Sequence, residues 1–167
     1  MTDQTVLRWG ILGAARVNER LLPAIVDAEN AQLVAIASRR AGAAAEVLAK
    51  YAPDEKGVQA FDDLDSVLNH ADIDAVYLPM ANEEHTEWAI KAIKQGKHVL
   101  IEKPMALSVA DIDAIAAAAD QYDVAVMEGF MYCFHPQHDY VADLIASGAI
   151  GEVRTIRTCF SFPMKPA

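Results

Sequence analysis

A doubly wound parallel α/β sheet is the fold class this sequence predicts, and three observations predict it. Short apolar runs of strand length recur along the chain, each followed by a longer stretch with apolar residues at helical spacing. The first run leads through a glycine turn straight into a helix-like segment. Runs such as HVLI are almost wholly apolar, the pattern of a strand covered on both faces. Six strands separated by helices imply right-handed crossovers and the order 3-2-1-4-5-6.

Residues 7–12 (LRWGIL) form the first strand, and the following GAAR turn opens a helix whose apolar positions are Val17, Leu21, Leu22, Ile25 and Val26. Pro23 lies inside that pattern and predicts a kinked or two-part helix. Residues 32–38 (QLVAIAS) make the second strand, and the alanine-rich segment 41–51 a helix stopped by Pro53. A short third strand covers 58–60, and Asp62 or Asp63 caps a helix running to Leu68. Residues 75–78 (AVYL) are the fourth strand, followed by a helix over 84–95 that ends at Gly96. Residues 98–101 (HVLI) are the fifth. Ser108 and Asp111 resemble a capping box for a helix to about Tyr122, and 125–128 is the sixth strand. Beyond it, 136–147 is helical and 152–162 (EVRTIRTCFSF) alternates like a one-sided strand. The expected organisation is a dinucleotide-binding domain over 1–129, a connecting helical region over 130–151, and over 152–167 the first strand of a truncated second α/β domain.

Composition narrows the functions. The 14 basic and 24 acidic residues give a net charge of −10, which disfavours nucleic acid and anionic membranes as partners. No apolar run reaches the ~20 residues that span a bilayer, and the N-terminus lacks a basic region followed by an apolar one, so the expected location is the cytoplasm. Cys133 and Cys159 make no disulfide framework. Cys133, His135 and His138 are interrupted by Pro136 and lack a fourth ligand, so no metal is expected.

In open parallel sheets ligands bind at the carboxyl ends of the strands. At the first of these, Gly13, Ala15 and Asn18 fall on the glycine positions of a G-x-G-x-x-G phosphate-binding turn, with only the first a glycine. At the second, Ser38, Arg39 and Arg40 stand where an NAD enzyme places an acid on the adenosine ribose. A hydroxyl and two guanidinium groups suit a 2′-phosphate, with Arg39 foremost either to stack on adenine or to bond the phosphate, so NADP is favoured over NAD. At the fifth come Glu102, Lys103 and Pro104. The proline restricts Lys103 to extended conformations, which makes it a stiffly held candidate for a substrate hydroxyl or carbonyl.

With WGILGAAR, PMANEEH, KQGKHVLIEKP, MEGFMYCFHPQ and GAIGEVRTI in place, the chain resembles the glucose-fructose oxidoreductase, inositol dehydrogenase and rhizopine-catabolism family, Gfo/Idh/MocA, over nearly its whole length. The resemblance implies an NAD(P)-binding Rossmann domain, a larger C-terminal domain holding most of the substrate site, and hydride transfer between nicotinamide and a sugar, polyol or diol. It implies Gly13, Ala15 and Arg16 at the phosphate turn, and Pro79, Asn82 and His85 along the cofactor's ribose and nicotinamide side. Lys103 then contacts the reacting oxygen as the catalytic residue, with Glu102 and Pro104 shaping its mount. Glu128 matches a position near the nicotinamide, although a polar strand end explains it equally well. Cys133 replaces an arginine common in relatives. The His or Tyr partnering the lysine in relatives lies in their C-terminal domain, so these 167 residues are expected to bind cofactor without useful turnover. A homo-oligomer formed through the C-terminal strand is also expected. The alternative reading is a stand-alone dinucleotide-binding or sensing module without catalysis.

Overall fold

The computed structural model describes residues 5–161 and Pro163, and it divides into two units, Met1–Gly129 and Phe130–Ala167. The first holds six parallel strands: β1 (Leu7–Leu12), β2 (Ala31–Ala37), β3 (Gln59–Phe61), β4 (Ala75–Leu78), β5 (His98–Ile101) and β6 (Val126–Glu128). Their order is β3-β2-β1-β4-β5-β6, as the alternation of elements predicts. Helices α1 (Asn18–Asp27), α2 (Ala43–Tyr51), α3 (Asp65–Leu68), α4 (His85–Lys94) and α5 (Val109–Tyr122) connect them.

Both faces of the sheet are covered, which explains why its central strands are apolar throughout. Along β4, Val76 and Leu78 enter one core with Leu12, Trp88, Ile93, Val99, Ile101 and Ile115. Tyr77, between them, points to the opposite core with Ile11, Leu22, Ile25, Leu33 and Ile36. Close approach of α3 to β1 requires Gly10: a β-carbon there would meet Val67 Cγ1 at 2.6 Å and Ile73 Cδ1 at 2.8 Å. That is why the first strand tolerates a glycine in its middle.

At the amino ends of the strands, Arg8 forks onto Asp74, with its Nη2 2.7 Å from Oδ1 and its Nε 2.9 Å from Oδ2. This pairing holds the Asp74 carboxyl below the usual carboxylate range. Lys97 is buried beside it, donating to the carbonyls of His70 (2.8 Å) and Ile73 (2.9 Å), and burial lowers its pKa. This end of the sheet is structural; the opposite end is free for ligands.

Three expectations need correction. α1 runs unbroken through Pro23 rather than in two parts, so tertiary packing of Leu22 and Ile25 outweighs the single backbone bond the proline removes. β3 lies one residue later than expected. The anticipated strand over 152–162 is not formed among the described residues: 153–161 joins no ladder of the sheet, and alternating side chains make a strand only where a ladder exists. Phe162 and 164–167, part of that expectation, lie outside the described residues. The second unit carries a 3-10 turn (Met131–Phe134) and α6 (Pro136–Ala146), which His135 caps by accepting from the Gln137 amide at 3.2 Å. Among the described residues no helix is long and apolar enough to cross a membrane.

Candidate functional site

A cleft of about 470 Å³ opens at the carboxyl ends of β1, β2 and β4. Of the residues singled out in the sequence, Gly13, Ala15, Ser38, Arg39, Arg40 and Pro79 line it. Leu12, Ala14, Leu64, Met80, Ala81 and Glu84 complete the wall. Asn82, Arg16, Glu102, His85 and Lys103 lie outside that lining.

The turn after β1 has the chemistry of an anion cradle. Among the described residues, the backbone amides of Ala14, Ala15, Arg16 and Val17 donate to no protein acceptor, and no side chain caps α1. Four donors in front of a ten-residue helix suit a phosphate, and the helix dipole adds to the attraction. Gly13 makes the turn possible: its φ of 145° disfavours any other residue, and a β-carbon would stand 3.3 Å from Pro79 Cγ. Asn18 takes the third glycine position and is fully buried; its Nδ2 donates to the Gly13 carbonyl at 2.8 Å and so holds the turn. Its Oδ1 is buried with no partner among the described residues. The residues present therefore fit a dinucleotide pyrophosphate, with a methyl group at Ala15 and the buried side chain of Asn18 as the additions to the usual glycine turn.

Beyond β2, the Ser38 hydroxyl accepts from the Arg40 amide at 3.2 Å, turning the chain so that both arginines reach the cleft. The Arg40 guanidinium has no partner among the described residues. Arg39, which the sequence offers as the foremost phosphate ligand, is paired with Glu84: Nη1 lies 2.6 Å from Oε1, and Nη2 donates to Oε2 at 2.7 Å. Glu84 sits in the PMANEEH loop, and only a three-dimensional structure brings it opposite Arg39, 45 residues earlier.

The segment after β5 is pinned at successive residues. The Tyr77 hydroxyl donates to Glu102 Oε1 at 2.7 Å, and the Lys103 amide to Glu102 Oε2 at 3.2 Å. The Lys103–Pro104 peptide is cis, and the Pro104 carbonyl meets His85 Nδ1 at 2.8 Å. Glu128 Oε1 accepts from the Met105 amide at 2.8 Å. Strands β4 and β6 and helix α4 thus each contribute one side chain to this mount. The side chain left without a partner among the described residues is that of Lys103, which is exposed.

Two side chains that the sequence offers as cofactor contacts are bonded within this mount. His85 is completely buried, with its Nε2 3.1 Å from the Met80 carbonyl, so both ring nitrogens face backbone acceptors. The Glu102 carboxylate is occupied by Tyr77 and its own neighbour's amide. Asn82 is exposed in a 3-10 turn (Asn82–Glu84), and Arg16 is exposed beside the phosphate cradle. Tyr77 escaped the sequence reading as one apolar residue among four, although a buried tyrosine hydroxyl always raises the question of its acceptor.

The model of the oxidoreductase family with an NAD-binding Rossmann fold, Gfo/Idh/MocA, matches residues 7–130. The chain belongs to this family. A Gfo/Idh/MocA relative, the dTDP-3,4-didehydro-2,6-dideoxy-alpha-D-glucose 3-reductase of Actinomadura kijaniata, is 35% identical over 161 residues, covering 96% of this chain and 47% of that protein. D-xylose 1-dehydrogenase (NADP(+)) 2 of Haloferax volcanii is 35% identical over 157 residues, covering 93% and 46%. Among solved structures, the 3-ketoreductase KijD10 of Actinomadura kijaniata with NADP and TDP-benzene superposes with a TM-score of 0.82 at 35% identity, covering 90% of this chain and 45% of that one. The apo scyllo-inositol dehydrogenase of Lactobacillus casei gives 0.76 at 28% identity, covering 89% and 44%. The chain spans about half the length of the curated relatives it matches.

Proposed function

We propose that this chain is the cofactor-binding part of an NADP-dependent oxidoreductase acting on a sugar, polyol or diol. The observation that carries the reading is the cleft itself, where unpaired turn amides lie on one side and Ser38, Arg39 and Arg40 on the other. Gly13, Ala15 and Arg16 would take the pyrophosphate, and Ser38, Arg39 and Arg40 the adenosine 2′-phosphate. Pro79 and Asn82 would border the path toward the nicotinamide. When bound, the nicotinamide supplies or accepts a hydride. Lys103 would hold the substrate oxygen by donating a hydrogen bond, with its backbone fixed by Glu102, His85 and Glu128. Such a mount favours an enzyme over a cofactor-sensing module, which needs no placed lysine. Relatives supply the substrate class: a dTDP-sugar reductase, a xylose dehydrogenase and a trans-1,2-dihydrobenzene-1,2-diol dehydrogenase are among them. An acidic chain whose described helices do not cross a membrane suits a cytoplasmic enzyme. Its exposed apolar residues beyond Gly129 suit a homo-oligomer.

Titrating the chain with NADPH and NADH tests this reading. NADPH should bind at least about tenfold more tightly, ~1.4 kcal/mol, and Arg39→Ala should remove most of that preference. Equal affinities in the parent chain would overturn the assignment.

A further inference from the structure

The forked pair between Arg39 and Glu84 stands where the sequence puts a phosphate ligand. We infer that Glu84 is a specificity-determining residue, an internal counter-ion of Arg39 that competes with an adenosine 2′-phosphate and so limits the preference for NADP over NAD. The inference rests on the dinucleotide reading above.

Three observations carry it. First, both carboxylate oxygens meet both terminal guanidinium nitrogens, at 2.6 and 2.7 Å, which is the same fork a phosphate would use. Second, Arg39 and Glu84 line one cleft together with the turn residues Gly13 and Ala15. Third, the two partners are unequally held. The Glu84 side chain is 23% exposed, and its amide donates to the Ala81 carbonyl at 2.9 Å where α4 begins. The Arg39 side chain is 60% exposed. The carboxylate is the fixed member and the guanidinium the movable one.

A 2′-phosphate entering this cleft must draw Arg39 from Glu84 or share it, and it meets a carboxylate of like charge. Neither opposes NAD, whose ribose hydroxyl can donate to a carboxylate. In NAD enzymes an acid at the end of the second strand fills that role. Here the acid comes from the loop after β4 instead, beside an arginine that neutralises it. Arg40, without a partner among the described residues, is available to a phosphate in either state.

Calorimetric titration of the whole chain with NADP+ and NAD+ tests the inference, using the parent, Glu84→Gln, Arg39→Ala and the double variant. Glu84→Gln should raise the ratio of NAD+ to NADP+ dissociation constants about fivefold (~1 kcal/mol), chiefly by tightening NADP+. The gain should be smaller in the Arg39→Ala background, where only the repulsion is relieved. Thermal unfolding checks that each variant is folded, and Glu84→Ala, which should move the ratio the same way, guards against an effect peculiar to glutamine. A ratio within twofold of the parent, or a fall in it, overturns the inference while leaving the dinucleotide reading intact. A parent chain that binds neither cofactor overturns both.

Discussion

Gly13 has a φ of 145° and faces the Pro79 ring, so its lack of a side chain serves both the backbone and the space beside it. Alanine there must adopt a conformation in which L-residues are strained, and it must also displace proline atoms 3.3 Å away. Gly13→Ala should lower stability by ~1–3 kcal/mol and abolish dinucleotide binding, because relaxing the turn moves the amides of Ala14 to Val17. Urea unfolding and cofactor titration check both halves. A variant that keeps both properties would mean that the turn has another accessible geometry. Asn18 tightens the same turn from the helix side through its bond to the Gly13 carbonyl, so the cradle is held at both ends. Lys103 is the opposite case. Its backbone is fixed, its side chain has no partner among the described residues, and the fold gains nothing from its amine.

At the scale of elements, the mount after β5 joins three neighbours through side chains, and one of these links buries a tyrosine hydroxyl, that of Tyr77 on Glu102. Tyr77 is 1% exposed. Burial first, and the bond to the Glu102 carboxylate second, push its hydroxyl far above the ordinary tyrosine value near 10. The folded-state pKa is raised, so the contribution of this group to stability is fully present below pH ~10. It is lost as pH rises from there toward the folded value, because the unfolded chain releases the proton first. Tyr77→Phe should cost ~1–3 kcal/mol at pH 7, and the gap to the parent should narrow by pH 10.5 in denaturant titrations. An unchanged gap would show that the hydroxyl is not held as described. The strands of this mount were legible in the sequence, because buried parallel strands are written as plain apolar runs and Gly96 marks the helix end before β5. Its cross-links were not. Tyr77, His85 and Glu128 are distant in sequence from residues 102–105; His85 and Glu128 meet backbone atoms, whose partners leave no mark in residue type, and Tyr77 meets the Glu102 carboxylate from within an apolar run. The Arg39–Glu84 pair was hidden for a related reason: Ser-Arg-Arg reads as a phosphate site until the loop after β4 is folded against it. The strand over 152–162 failed differently, since alternation describes a side-chain pattern and a strand needs a partner's backbone.

The whole molecule divides its stabilising contacts unevenly. Every residue of both hydrophobic cores falls between Ile11 and Ile115, inside Met1–Gly129, and among the described residues none beyond Gly129 is buried. The described part of the second unit instead exposes large apolar side chains: Met131 is 67% exposed, Phe134 71%, Tyr140 66% and Ile156 77%. Burial of apolar area is the main favourable term in folding, so a chain cut after Gly129 retains nearly all of it. It also retains the phosphate turn, both arginines and the Lys103 mount. Residues 1–129 should therefore unfold cooperatively with a stability within ~1 kcal/mol of the full chain, and should bind NADP+ with an affinity within about threefold. Exposed apolar surface of this kind favours self-association, so the full chain should form dimers or larger species by light scattering at concentrations where 1–129 is monomeric. A fragment that fails to fold would mean that the sheet depends on residues past Gly129 for cover. A full chain that remains monomeric at every concentration would remove the argument that these side chains meet a second copy.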